Sequence, residues 1–113
     1  MSNASGAAGD DPRRKSRRVP GPFTGRRLGP LTVDVHIHDL SVGGCLIQSF
    51  HEVAVGRRMQ LEIDLPDEGA VTVSAECVNT RPDYGFAVQF FDVRDETRRT
   101  LARVVERLLA GAR

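Results

Sequence analysis

The residues best suited to binding chemistry at the start of the chain are arginines. The run RRKSRR occupies residues 13–18, with Arg14 and Arg18 four positions apart. A guanidinium binds phosphate through a planar fork of N–H donors and also stacks on an aromatic base. Two of them at this spacing, on a chain that can bend, would grip a phosphorylated ligand from two sides. Because many basic tails carry such a run as a solvated stretch, the run alone is a weak indication.

A second polar stretch, HDLSVGGC at residues 38–45, interrupts an apolar alternation. Asp39 is an acceptor that could take donors from the edge of a guanine or hold an arginine. Ser41 supplies a hydroxyl sized for a phosphate oxygen or a base edge. Gly43 and Gly44 would permit a tight turn with positive φ and bring a ligand close to bare backbone N–H groups. The same residue types occur in ordinary turns, where Asp and Ser cap backbone groups.

The histidines offer a weaker alternative. His36 and His38 share a predicted strand face with Asp34, and Cys45 follows nearby, which is a spacing that a metal site could use. No third ligand is placed convincingly, so we interpret these residues as an exposed polar strand face. The sequence also lacks the phosphate-loop, nucleophile-elbow and zinc-protease motifs and shows no acid–base pair of carboxylates. We therefore expect no enzyme, no metal and no cofactor.

The composition of the chain bounds its class. A length of 113 residues predicts one small domain, and 5% aromatic residues without Trp predict an aliphatic core. Residues 1–30 carry a net charge of +5, and the remainder sums to −4. A basic arm on an acidic body predicts that the arm meets an anion. With no apolar run of about 18 residues and no secretory signal, we expect a cytoplasmic protein without a membrane span. In that compartment Cys45 and Cys77 are expected to stay separate.

Short alternating runs predict the elements that must position these residues. We expect a disordered leader over residues 1–12 and a basic arm with an irregular first strand over 13–30. Residues 31–92 would form further strands separated by turns every 8–12 residues. In the run LTVDVHI the apolar residues share one face of a half-buried strand, namely Leu31, Val33, Val35 and Ile37. The alternation slips at Asp39, which indicates a strand end, a bulge or a tight turn, and we expect the strand to stop there. Prolines in the first strand would confine it to a sheet edge or an extended lead-in.

The last segment has a different period. Over residues 95–110 apolar side chains recur at helical spacing, which predicts an amphipathic helix. Its apolar face could pack on the barrel or on a second chain, and periodicity does not choose. Six short strands followed by one helix predict an all-β fold with a C-terminal helix, built as a small antiparallel barrel or sandwich.

Taken together and in this order, the two polar stretches resemble the signature of the PilZ domain family, the bacterial receptor module for cyclic di-GMP. That signature is R-x-x-x-R followed by [DN]-x-S-x-x-G, here Arg14 to Arg18 and Asp39 to Gly44. Arg13-x-x-x-Arg17 has the same spacing, but the register ending at Arg18 lies directly before Val-Pro, as in the family. The resemblance spans about residues 13–92, and with the helix that commonly follows the barrel in this family it implies a PilZ-like domain over residues 13–113. It implies a six-stranded antiparallel β-barrel with a flexible basic N-terminal arm and the ligand on its outer surface.

The resemblance also implies roles for single residues. Arg14 and Arg18 would hold phosphates and stack on guanine, while Asp39 and Ser41 would bind guanine or the phosphate ring. The ligand's close approach would be permitted by Gly43 and Gly44. Arg13, directly before the motif, could add a cation for a second, intercalated ligand molecule, and we lean towards two per chain. The arm would fold over the ligand, and the signal would pass to a partner protein through the helix or the newly covered barrel face.

Two other classes of function remain open at this point. A ligand-independent interaction adaptor on a PilZ scaffold would keep the fold without the nucleotide. A nucleic-acid-binding barrel would use the basic arm, although the acidic body and the lack of surface aromatic residues argue against that partner. The sequence does not choose between monomer and homodimer and does not identify the regulated process.

Overall fold

The computed structural model describes residues 17–111. The predictions for the leader over residues 1–12, for the flexibility of the arm and for Arg13 and Arg14 concern residues outside that range.

Six strands and one helix follow one another along the described chain. Their bounds are β1 Val19–Leu28, β2 Val33–Leu40, β3 Gly44–Gln48, β4 Arg58–Leu65, β5 Gly69–Arg81, β6 Gly85–Phe91 and α1 Asp95–Gly111. All neighbouring strands pair antiparallel and close into a barrel in the order β1-β2-β3-β6-β5-β4. The predicted six-stranded antiparallel barrel with a C-terminal helix is confirmed.

The first strand closes the barrel with only part of its length. Residues 25–28 pair with β4, whereas residues 19–24 pair with β2 alone among the described strands. Pro20 and Pro22 lie in that half, where the missing N–H groups have fewer ladder bonds to satisfy. The sequence predicted that the prolines would lie at a sheet edge, and residues 19–24 do pair with a strand on one side only in the described chain.

Aliphatic side chains fill the barrel, as their alternation predicts. In β4 the residues Met59, Leu61, Ile63 and Leu65 are all buried, while the side chains between them are exposed or half-buried. Burial of one face of each strand at period two is what fixes the register of the sheet. Both Cys45 and Cys77 are buried and are not joined in a disulfide, as expected. Burial raises the pKa of the Cys77 thiol.

Two expectations about β2 are wrong. The alternation predicts Leu31 on the core face, but its side chain is 82% exposed, because the turn after β1 delays the strand until Val33. The strand also does not stop at Asp39 but continues through Leu40, which is buried. The alternation is therefore interrupted within β2 and not at its end.

The helix packs on the barrel, which answers the question left open by its periodicity. Leu101, Val104 and Val105 belong to the same buried cluster as the barrel interior. Arg103 fixes the helix to the turn between β4 and β5, since its Nη2 atom lies 2.9 Å from a carboxylate oxygen of Glu68. No helix within residues 17–111 is long and apolar enough to cross a bilayer.

Candidate functional site

The interruption at Asp39 is a β-bulge that turns two consecutive side chains outwards. Ile37 pairs with Ile47 and Asp39 with Leu46, so His38 has no residue of its own opposite it on β3. The pairing with β1 shifts at the same place. A bulge adds one residue to a strand and re-aims the side chain that follows. His38 and Asp39 therefore both lie between inward-facing neighbours at the end of β2.

The bulge brings Asp39 to an arginine of the predicted motif. Arg18 Nη1 donates to both carboxylate oxygens of Asp39, at 3.0 Å and 3.1 Å. The side chains are 33% and 15% exposed, so the pair is partly desolvated. This contact uses one nitrogen of the guanidinium, and within residues 17–111 no other acceptor binds Nε or Nη2 of Arg18. Those donors can still bind a second anion.

Ser41 lies below the surface and holds the turn that follows. Its hydroxyl accepts hydrogen bonds from the N–H groups of Gly43 and Gly44, at 3.3 Å and 3.1 Å, and donates to the carbonyl of Gly44 at 3.2 Å. The Ser41 N–H donates to the same carbonyl at 2.9 Å. Because the hydroxyl is buried and engaged with the backbone, direct contact with a ligand requires it to exchange one of these bonds.

The two glycines do not have the backbone conformation expected of them. Among the described glycines, positive φ occurs at Gly56, Gly69 and Gly85. The expectation of positive φ at Gly43 and Gly44 is therefore wrong. The turn is held by the hydrogen bonds of Ser41 and by the N–H of Phe90, which donates to the carbonyl of Gly43 at 2.8 Å.

The helix adjoins this turn. A groove of about 450 Å³ lies between them, and its lining includes Val42 from the turn, Val105, Glu106 and Leu109 from the helix, and Arg17 from the segment before β1. The two arginines at the start of the described chain thus differ: Arg18 is half-buried beside Asp39, and Arg17 is exposed at the groove.

Sequence reasoning missed an aromatic contact beside Asp39. The rings of His38 and Tyr84 meet edge to face with centroids 5.5 Å apart. Tyr84 lies in the turn before β6, and no local pattern links it to His38, so only the barrel topology could have shown the pair. Across residues 17–111 no three His, Cys, Asp or Glu side chains gather in a way that could hold a metal ion.

A second cluster of charges fastens β1 to β4. Arg26 contacts Glu62 and Asp64, each with an N···O distance of 2.5 Å, and the Thr24 hydroxyl donates to Asp64 at 2.6 Å. The hydrogen bond from Arg26, and then that from Thr24, holds the pKa of Asp64 below its usual range. These contacts keep the strand that follows Arg18 in place.

The model of the PilZ domain family matches residues 12–107. The chain belongs to the PilZ domain family. No curated protein sequence matches the chain.

Solved structures of other PilZ proteins share the fold. YcgR from Escherichia coli, solved in complex with c-di-GMP, superposes with a TM-score of 0.74 at 23% identity over 88% of this chain and 47% of its own. The PilZ domain of YcgR with c-di-GMP has a TM-score of 0.71 at 20% identity, over 89% of this chain and 95% of that one. The Bacillus subtilis inhibitor of motility MotI gives 0.71 at 16% identity, over 89% and 53%. This PilZ chain spans about half the length of YcgR and MotI.

Proposed function

We propose that this PilZ domain is a receptor for cyclic di-GMP and acts by binding, not by catalysis. The observation that carries the proposal is the half-buried Arg18 guanidinium held beside Asp39 with donors to spare, next to the turn of Ser41 to Gly44. Support also comes from the family and from the c-di-GMP that the YcgR structures contain.

Each group of the site has a chemical task in this proposal. Arg18, with Arg14 from the preceding chain, binds phosphate and stacks on guanine, because a guanidinium offers both a fork of donors and a flat face. Asp39 accepts from guanine N–H groups or keeps Arg18 oriented. Gly43 and Gly44 leave room for the nucleotide near the backbone. Ser41 holds the turn, and it contacts the ligand only if one of its backbone bonds is exchanged.

The experiment is a calorimetric titration with cyclic di-GMP, with parallel titrations of GTP and cyclic AMP as controls. We expect saturable binding of cyclic di-GMP alone. Arg18→Ala and Asp39→Ala should each weaken it about tenfold to a hundredfold, because a charged hydrogen bond contributes about 1.5–3 kcal/mol. Arg99→Ala and Asp83→Ala remove exposed residues of the same types and should leave the affinity unchanged. The endpoint also decides between one ligand and two per chain, for which Arg13→Ala is the informative variant.

Failure of the titration would have a definite meaning. No heat with cyclic di-GMP, in a protein with a cooperative melting transition, would reject the receptor and leave the interaction adaptor. Binding that survives both Arg18→Ala and Asp39→Ala would reject the site.

The signalling step in the proposal is ordering of the arginine arm over the ligand, followed by contact with a partner protein. Neutralising the arginines with two phosphates removes their mutual repulsion, while fixing each residue costs about 1–2 kcal/mol of conformational entropy. Hydrogen exchange checks this: amides of residues 13–18 should gain protection with saturating ligand. Unchanged exchange there, with bound nucleotide, would reject the ordering.

A further inference from the structure

The end of the barrel remote from Asp39 exposes apolar side chains. Within residues 17–111 the large hydrophobic side chains that are exposed are Leu31 at 82%, Phe50 at 103% and Val55 at 63%. All three lie on the two loops 29–32 and 49–57, which we name the far-end surface. Single exposed apolar residues are ordinary, whereas three of them on two adjoining loops place apolar side chains together at one end of the barrel.

Grooves join the two loops into one continuous surface. A groove of about 470 Å³ has Leu31 on one side and His51 on the other. His51 also lines two neighbouring grooves, of about 510 Å³ and 460 Å³, and Phe50 lines both of these. The far-end surface therefore offers concave space beside protruding apolar side chains.

The groove of about 470 Å³ carries more positive than negative side chains. Arg27, Arg57 and Arg58 line it together with one carboxylate, Glu52. Arg58 is neutralised by Glu76 at 3.0 Å, outside the groove lining. Arg27 and Arg57 have no ion pair in the described part of the chain, so their guanidinium groups are available to carboxylates from outside.

We propose that the far-end surface docks a protein partner whose contacting segment alternates carboxylates with apolar side chains. The carboxylates would pair with Arg27 and Arg57, and the apolar side chains would cover Leu31 and Phe50. Arginine and aromatic residues are the types enriched where proteins bind one another.

Charge complementarity selects this occupant over two others. A second copy of the chain placed face to face would bring two surfaces with the same excess of unpaired arginines together, and like charges across an interface are unfavourable. A nucleic acid would leave Leu31 and Phe50 uncovered, and a flat anionic membrane would leave the grooves beside them unfilled. An acidic and apolar protein segment satisfies both the arginines and the exposed hydrophobic residues.

The inference does not depend on cyclic di-GMP. The far-end surface and the Asp39 site lie at opposite ends of β2, since Val33 begins the strand next to loop 29–32 and Leu40 ends it next to the turn. A partner can dock there whether the chain is a receptor or an adaptor. Loss of nucleotide binding and loss of partner docking are therefore separate results.

The test is selection from a phage-displayed random-peptide library on the full chain without nucleotide. Phage that also bind a Leu31→Ser/Phe50→Ser double variant are removed. Both substitutions fall on exposed side chains, so the variant should melt like the parent, which circular dichroism verifies. We expect enriched peptides to combine Asp or Glu with Leu, Ile or Phe, and the best of them to shift amide resonances of loops 29–32 and 49–57.

Affinities of the best peptide then decide the proposal. Arg57→Glu should weaken binding about tenfold or more, and Arg99→Glu, on the exposed face of α1, should not change it. The inference is overturned if no consensus emerges, if the consensus is basic, or if Arg57→Glu has no effect. It is also overturned if the chain binds no peptide but self-associates in sedimentation, or binds phosphatidylglycerol vesicles, and Phe50→Ser abolishes that association.

Discussion

Arg18, the residue directly before β1, meets Asp39 near the end of β2 through one guanidinium nitrogen and two carboxylate oxygens. A partly exposed pair of this kind contributes little to stability, because water competes for both partners. A double-mutant cycle with Arg18→Ala, Asp39→Ala and the combined variant should give a coupling energy of about 0.5–1 kcal/mol in urea unfolding. The coupling should shrink in high salt. A coupling energy of zero at low salt would mean that the Arg18–Asp39 contact adds nothing to the backbone pairing of β1 with β2.

The turn of the site should depend on the Ser41 hydroxyl. Ser41→Ala leaves the buried N–H of Gly44 and the half-buried N–H of Gly43 without their acceptor, and we expect a loss of about 1–3 kcal/mol in the free energy of unfolding. Ser49→Ala is the matched control, because the Ser49 hydroxyl accepts a bond from the His51 N–H in an exposed loop. That loss should stay within about 0.5 kcal/mol. Equal losses for the two variants would contradict a special role for Ser41.

The helix should be an integral part of the domain. Leu101 is fully buried in the common core, and Leu101→Ala should lower the free energy of unfolding by about 2–5 kcal/mol through lost burial and a cavity. Leu31→Ala makes the same chemical change at an exposed position and should alter stability by about 0.5 kcal/mol or less. Thermal and urea melts of the pair provide the measurement. A near-neutral Leu101→Ala would show that the helix is not part of the cooperative unit.

Acid should weaken the attachment of the helix. Hydrogen bonds from Arg103, and further contact with Arg107, hold the pKa of Glu68 below its usual range. A carboxyl group whose pKa is lower when folded adds stability above its unfolded pKa, and that stability is lost as pH falls through the folded pKa. Glu68→Gln should therefore melt below the parent at pH 7 and approach it as the pH drops below about 4.

The control for this pH series is Glu106→Gln. Glu106 is exposed on the same helix and has no ion pair within the described chain, so its melting curve should follow the parent across the range. If Glu68→Gln instead ran parallel to the parent at every pH, the contacts of Glu68 would carry no pH-dependent stability.

The sequence predicted the barrel more fully than the site. Alternation identifies strands because a half-buried strand repeats every two residues, and the run from Met59 to Leu65 is packed as its pattern indicated. The prediction for Leu31 failed because periodicity does not identify the residue at which a turn ends and the strand begins. At Asp39 the pattern indicated a strand end, a bulge or a turn. The choice of a bulge depends on pairing with β1 and β3, which are distant in sequence.

For the site residues, too, the sequence predicted the possible contacts but did not identify the actual partners. Ser41 was compatible with a ligand contact or with capping of the backbone, and burial of the hydroxyl shows that it caps. Asp39 was expected to meet guanine or to hold an arginine, and the structure shows it against Arg18. The contact of His38 with Tyr84 joins residues from separate strands and turns, so nothing local predicted it.

The partial closure of β1 has a consequence for behaviour at high concentration. Residues 19–24 form strand pairs with β2 alone in the described chain, and an unpaired strand edge is where another molecule would add a strand. Pro20 and Pro22 remove two N–H donors from this short stretch, and Arg26 with its two carboxylates lies where it ends. Prolines and charges at an open strand prevent an incoming backbone from completing its hydrogen bonds. The gap in the barrel is therefore a poor template for strand exchange or for edge-to-edge aggregation.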